Sequence, residues 1–288
     1  MLGKSGRESG PHARLAATLG GWSGGDVELL DLGSTTQTLA TVASIDNLAA
    51  VVHIGHPAQP APELERSLLS SDRSLVLTRA VPVPSEWTWV GRTADAQGAA
   101  VVDEAGMRDC RPVLRAMGLS PRLVPTATST VARIAVAGES GTLVVERSAI
   151  PEGFQELAGS SRLREIPLIW YGLLETAQAP QDFSSPAQVW LAFGPRDDHR
   201  GSLQETLGVI SAAGIDLQHL RSQRSQDGPH VFLTSFTCSD SGVLDRLLAE
   251  FGARGVARRV LAVLPGQEFI PGPESLTPLW ASSAALER

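Results

Sequence analysis

His53 and His56 are the side chains best suited to moving a proton near neutral pH, because imidazole changes charge there. They lie three residues apart after the apolar run Ala49 to Ile54, which reads as a buried strand. That spacing turns them to opposite faces of a strand end, so one of the two is expected to face a cleft. The other reading is a loop histidine bonded to backbone. Arg7 falls in a glycine-flanked turn after the first strand, where backbone N–H groups approach a ligand and a guanidinium can fork onto a carboxylate. A solvated N-terminal arginine is the alternative. Asp103 and Glu104 close another short strand and either position a hydroxyl or supply negative charge to the helix that follows. Glu146 and Arg147 close a third, as an ion pair or with Arg147 free to bind a carboxylate. Ser129 and Thr130 open a helix, where they cap it and where its N-terminus also attracts an anion.

The elements that must position these groups alternate along the first 186 residues. Val27–Leu32, Ala49–Ile54, Ser74–Val83, Ala99–Asp103 and Gly141–Val145 are strand-like, and Glu63–Leu69, Met107–Met117 and Ser129–Ala137 are helix-like. Several of the strands are near-continuous apolar runs, as expected when helices cover both faces, and such sheets bind ligands at the carboxyl ends of their strands. The stretch Gln178–Pro186 reads as a linker. After it the periodicity gives strand Ala187–Phe193, helix Gly201–Ala213, strand Ile215–Ser225, a turn at Asp227-Gly228, strand Val231–Cys238, helix Ser241–Phe251 and strand Val256–Leu264. That is a βαββαβ order, a split βαβ with its helices on one face of an antiparallel sheet. The last residues read as a tail.

A net charge of −7 and a single tyrosine, Tyr171, argue against a nucleic-acid partner. Arg258 and Arg259 are an isolated basic pair. The two cysteines, Cys110 and Cys238, fall in different predicted domains with no zinc-ligand spacing, so buried free thiols are expected and no metal or cofactor is. No run approaches the length of a membrane span and the start lacks a signal-peptide core, which points to a cytoplasmic protein with no membrane partner. Six tryptophans, Trp87, Trp89 and Trp170 among them, read as core or interface.

In its order of segments the chain resembles the prephenate dehydratases. The opening Leu2-Gly3-Lys4-Ser5-Gly6-Arg7-Glu8-Ser9 is similar to that family's LGPxGTxS start, with Gly3, Gly6 and Ser9 matching. Gly118-Leu119-Ser120 and Thr128-Ser129-Thr130 resemble the segment leading into its S-T-A helix. Gly201-Ser202-Leu203 is similar to the G-A-L motif of the family's ACT domain, and Leu220 to Arg224 stands where that domain has I-E-S-R-P, with Ser222 in register and Arg221 in place of Glu.

The resemblance implies a two-lobed α/β domain of the periplasmic-binding-protein kind over 1–186, an α+β ferredoxin-like ACT domain over 187–270, and a tail over 271–288. It implies substrate contacts at Gly3, Gly6, Ser9, Ser129 and Thr130, and effector contacts at Gly201, Leu203 and Ser222. The E-N-S place carries Gly55-His56-Pro57, the T-R-F place near Ala187–Val189 carries Ala-Gln-Val, and Arg7 replaces the opening Thr. Arg7 or Arg147 is then left to hold a carboxylate, and His53 or His56 to supply a proton. Two functions fit. One is a diverged lyase or decarboxylase acting on prephenate or another chorismate-derived carboxylate. The other is a non-catalytic binding or regulatory protein. ACT sheets pair edge to edge, so a homodimer or larger assembly is expected, with an amino acid as effector.

Overall fold

The computed structural model describes residues 1–22, 28–71, 75–176, 182–195, 199–224 and 230–266. The strand starts expected at Val27 and Ser74, the opening of the linker at Gln178, the Asp227-Gly228 turn and the tail lie outside these residues. The chain begins β1 (Leu2–Lys4), α1 (Gly10–Leu19), β2 (Leu30–Asp31), α2 (Thr35–Ser44), β3 (Ala49–His56), β4 (Gln59–Pro60), α3 (Pro62–Leu69) and β5 (Leu75–Val83). It continues β6 (Trp87–Gly91), β7 (Ala100–Asp103), α4 (Glu104–Ala116), β8 (Arg122–Val124), α5 (Thr130–Ala137), β9 (Thr142–Glu146), β10 (Gln155–Glu156) and β11 (Ile169–Thr176). It ends β12 (Ala187–Gly194), α6 (Ser202–Ala212), β13 (Leu217–Arg224), β14 (His230–Cys238), α7 (Ser241–Ala253) and β15 (Ala257–Pro265). Two compact units form: Met1–Ile54 with Ala80–Thr176, and Gly55–Arg79 with the residues from 177 onward.

The first unit holds two sheets. One runs β11-β3-β1-β2, with β1 parallel to both neighbours. The other runs β10-β6-β9-β7-β8; β6 is antiparallel to β9 and β10, and β7 is parallel to β8 and β9. A single apolar core draws on both sheets, from Ala13, Ala16 and Ala17 of α1 through Val51, Trp87, Val102 and Val144 to Tyr171. A smaller core under α5 fills the other face of the second sheet around Val90, Val101 and Leu143. Helices α1 and α2 are built less from large apolar residues than from their ends. Ser9 caps α1 through the His12 N–H, and Ser34 with Gln37 forms a reciprocal capping box on α2. Helix α4 begins at Glu104, ahead of the expected Met107, because Asp103 accepts the Gly106 N–H and so fixes the start.

In the second unit β12 to β15 form an antiparallel sheet in the order β13-β14-β12-β15, with α6 and α7 on one face. Val189, Leu191, Phe193, Phe232 and Phe236 meet Ile210, Leu244, Leu247 and Phe251 in its core. Asp240 caps α7 by accepting the Val243 N–H. The alternate residues of the same strands are covered by the segment that begins at Gly55. Trp190 Nε1 donates to the Pro57 carbonyl, Ser235 Oγ donates to that of Ala58, and Arg259 donates to the carbonyls of Leu68 and Ser71 at the end of α3. Glu65 of α3, 1% exposed, takes a 3.2 Å bond from Arg221. Both faces of β12 are therefore buried, which is why its sequence is apolar apart from Gln188. Ala187–Val189 open the βαββαβ sheet, and the last strand of the first unit is β11.

Candidate active site

Strand β1 feeds a turn in which glycine is required by close approach. A Cβ on Gly6 would lie 2.8 Å from Asp31 Oδ1 and 3.1 Å from the Gly33 carbonyl, and one on Gly3 would lie 2.4 Å from Leu32 Cδ1. Gly3 and Gly6 thus let β1 and its turn pack against β2 and the loop after it. The turn sends Arg7 outward and Glu8 inward. Arg7 Nη2 reaches Glu104 Oε1 at 3.3 Å on the surface, while Glu8 is 5% exposed.

Glu8 is the centre of a buried ionic cluster assembled from both sheets of the first unit. Its Oε2 accepts from Arg108 Nη1 at 2.8 Å and its Oε1 from the backbone N–H of His53 at 3.3 Å. The Arg108 guanidinium turns its other edge to Asp109, Nε to Oδ1 at 2.7 Å and Nη2 to Oδ2 at 3.3 Å. Trp87 Nε1 adds a bond to Asp109 Oδ2 at 3.1 Å. Burial pushes the Asp109 carboxyl up, but the Arg108 fork outweighs it and holds Asp109 below the usual range. Burial opposes charge on Arg108 as well, yet Glu8 and Asp109 raise it well above its ordinary value. The His53 ring stands edge-on to Tyr171, centroids 6.0 Å apart, and burial with the nearby Arg108 lowers it to about 4. It is a neutral imidazole at pH 7. Tyr171 is fully buried beside Arg108, and burial followed by the Glu8 charge pushes that phenol far up, against the Arg108 charge.

A second set of polar groups adjoins the first. Asp103 binds Arg133 at 2.9 Å, and Arg133 also donates to the carbonyls of Thr126 and Thr128. Burial raises Asp103 above its usual value, against the Gly106 N–H and Arg133. Ser9 Oγ lies 2.9 Å from His12 Nδ1 and accepts the His12 backbone N–H, and His12 Nε2 accepts the Glu86 backbone N–H at 3.0 Å. His12 stacks on Trp87 at 5.1 Å, is fully buried, and is lowered by that burial to about 4.

Of the residues singled out from sequence, Gly3, Gly6, Arg7, Ser9 and His53 come together at this turn and cluster. His56 falls in the second unit, where its Nδ1 accepts the Ala58 N–H within the β3–β4 hairpin. Ser129 caps α5 by accepting the Ala132 N–H, and Thr130 is the exposed first residue of that helix. Arg147 is exposed and pairs with Glu156 at 3.4 Å. Gly201 precedes α6 with φ of +101°, Leu203 packs against the core under that helix, and Ser222 is exposed on β13. Glu8, His12, Arg108, Asp109, Arg133, Glu146 and Tyr171 were not singled out for chemistry. Two of them left a trace: His12 stands at the N3 position that a serine cap addresses, and Tyr171 is a lone phenol in an apolar run.

No group of three or more potential metal ligands occurs among the described residues, and no helix among them is long and apolar enough to cross a membrane. No family model matches the chain, and no curated protein matches it significantly. Solved structures do resemble it. A prephenate dehydratase from Arthrobacter aurescens, in complex with L-Phe, superimposes with a TM-score of 0.70 at 16% identity, covering 100% of this chain and 96% of that one. The prephenate dehydratase from Staphylococcus aureus gives 0.65 at 12% identity, covering 92% and 100%. A quorum-quenching acylase, GqqA, gives 0.64 at 17% identity, covering 93% and 98%. At these identities the likeness establishes the fold alone: this chain has the fold of the prephenate dehydratases, and that fold also carries an acylase.

Proposed function

We propose that the chain is a diverged lyase that acts on prephenate or a related chorismate-derived acid within the first unit, by loss of water, decarboxylation or isomerisation. The observation that carries this reading is the buried Glu8–Arg108–Asp109 cluster beside a neutral His53 and a fully buried Tyr171. Burying three charges costs more than packing apolar residues in their place, so such a cluster is retained for something other than stability. Ionisable groups shifted together by burial and by one another mark functional sites. In this reading Arg7 exchanges its surface contact with Glu104 for a substrate carboxylate, with Gly3, Gly6, Ser9, Ser129 and Thr130 along the binding surface and Arg147 as a second carboxylate holder. His53, neutral at pH 7, donates its ring N–H to an oxygen that gains charge. His56 is bonded within its own hairpin and takes no step.

Residues 1–186 would form the ligand-binding domain, and 187–270 an ACT domain sensing an amino acid near Gly201, Leu203 and Ser222. Strand β13 is an edge of its sheet and offers a pairing surface for a second copy. The expected assembly is a homodimer or larger; light scattering that returns a monomer at working concentration contradicts it.

The second reading is a binding protein without turnover. It is favoured by Arg108 and Arg133, whose guanidiniums are already committed to protein carboxylates. Following prephenate, phenylpyruvate and other products by proton NMR separates the two. The lyase reading expects turnover that falls roughly 10–100-fold in Arg7→Ala through KM and in His53→Ala through kcat. Saturable binding with no product selects the second reading, and full turnover by His53→Ala removes that residue from the mechanism.

A further inference from the structure

We infer that the second unit holds a binding site, at the start of α6, for the phosphate or carboxylate group of a small organic anion. The site is independent of the lyase reading and of the surface that carries Ser222. It is a crevice of about 570 Å³ between the first turn of α6 and the residues that lead from α7 into β15. Ser202, Thr206, Gly252, Arg254 and Val256 line it. In the strand order β13-β14-β12-β15 this wall lies at the β15 end, and Ser222 lies on β13 at the other. A crevice of this size holds a small organic molecule rather than a bare ion.

Helix α6 begins after Gly201, which has no side chain to cap it. The first-turn N–H groups of Leu203 and Gln204 therefore have no acceptor within the helix. They and the helix dipole attract negative charge, although water can serve such a helix start as well. Ser202 points to a ligand independently. It is 5% exposed and lines the crevice. Its N–H bonds the His199 carbonyl and its carbonyl accepts from Thr206 Oγ1, but its hydroxyl makes no hydrogen bond among the described residues. A buried hydroxyl without a partner costs free energy, so alanine would serve this position better unless something binds there. The basic pair Arg258 and Arg259 divides in the structure. Arg259 holds the end of α3, whereas Arg258 is exposed and forms no ion pair among the described residues. The Arg258 guanidinium lies against Gly252, where a Cβ would meet Nη2 at 2.7 Å, so the glycine leaves room for it at the crevice wall. Arg254 adds a second guanidinium, with its Nε held by Glu250 at 2.7 Å. Glu205 is the one acidic residue in the lining and His199 the one imidazole. The anionic group would meet Ser202 Oγ and the two N–H groups, with the guanidiniums beside it and the uncharged part of the molecule against Pro195 and Val256.

The test is a titration of the nitrogen-15 labelled full chain with inorganic phosphate and with acetate at constant ionic strength, followed at the Leu203 and Gln204 amides. Saturable shifts at both amides are expected with at least one of the two, and none with chloride. Saturation by both marks a general oxyanion site, by phosphate alone a phosphate group, and by acetate alone a carboxylate. Ser202→Ala and Arg258→Met should each weaken binding about tenfold. The remaining amide signals report that both variants are folded. In the ligand-free chain Ser202→Ala should keep or raise the unfolding midpoint, because no bond is lost. No saturable response to phosphate or acetate, an equal response to chloride, or unchanged affinity in either variant overturns the inference. A Ser202→Ala midpoint well below wild type also overturns it, because the hydroxyl would then be structural.

Discussion

Arg108→Met is expected to destabilise the protein by about 3–5 kcal/mol, more than any other single change in the cluster. Arg108 separates two buried carboxylates, Glu8 at 2.8 Å and Asp109 at 2.7 Å, whose side chains are 7% and 3% exposed. Methionine keeps most of the volume and removes the charge, so both carboxylates lose their counter-ion without gaining water. Each must then carry an uncompensated charge or take up a proton at neutral pH. Arg108→Lys retains the charge but cannot fork onto Asp109 while reaching Glu8, and should fall between the two. The informative variant is the triple Glu8→Leu, Arg108→Met, Asp109→Leu. With no charge left to desolvate, it should recover most of the lost stability, and it should bind no ligand. Guanidinium unfolding of the three variants decides this: Arg108→Met within about 1 kcal/mol of wild type would mean that the cluster is wet and its charges are not coupled.

The fold was legible where local periodicity carried it. Strands β12, β14 and β15 alternate or run apolar over their full length and are punctuated by Gly and Pro, so the βαββαβ order could be read almost residue by residue. Helices α1 and α2 could not. GPHARLAATL buries three alanines and a histidine, and TTQTLATVAS buries Thr38, Leu39 and Val42, too little large apolar surface to draw a stripe, and their signal lies in the Ser9 and Ser34 caps. Strands β6 and β11 were hidden for another reason. Their tryptophans read as core or interface but carry no period that would set them on a strand; Trp87 and Tyr171 are fully buried in the first core. The packing of Gly55–Arg79 with the C-terminal residues was invisible because it is made by pairs far apart in sequence, such as Pro57 with Trp190 and Leu68 with Arg259.

The site divides in the same way. His53 and the glycine turn could be read because each carries its meaning locally, in a strand end and a backbone approach. Glu8 and Arg108 are 100 residues apart and acquire a function only where the β1 turn meets α4. In sequence, Arg108-Asp109 looks like the solvated face of a helix. Glu146 reads in sequence only as the neighbour of Arg147, and the structure turns the two apart: Glu146 is buried, and the Arg147 guanidinium turns outward to Glu156.

Acidification tests the interior of the first unit most strongly. His12 and His53 are each lowered from an ordinary 6.5 to about 4, in both cases first by burial. A histidine whose folded value lies below its unfolded value binds its proton more readily when the chain unfolds. Its contribution is therefore fully present above 6.5 and is lost as the pH falls toward 4. Each shift corresponds to roughly 3 kcal/mol, a large share of a typical folding free energy of about 5–15 kcal/mol. The buried carboxyls Asp103, Glu146 and Glu65 act in the opposite sense. Burial raises them, so the folded chain favours their protonated forms, and what they contribute is present at low pH and lost as the pH rises through their folded values. The Gly106 N–H and Arg133 hold the Asp103 rise in check, and Arg221 that of Glu65. The Glu8 and Asp109 charges oppose the burial of the histidine rings in the same way, yet both rings still fall to about 4. The histidines should win, and the denaturant midpoint should fall steeply between pH 6.5 and about 4. Asn at either position has no proton to gain and should flatten the slope by about half if the two rings titrate independently. A midpoint that holds or rises over this interval would mean that the carboxyls dominate and that one or both imidazoles are charged in the folded chain.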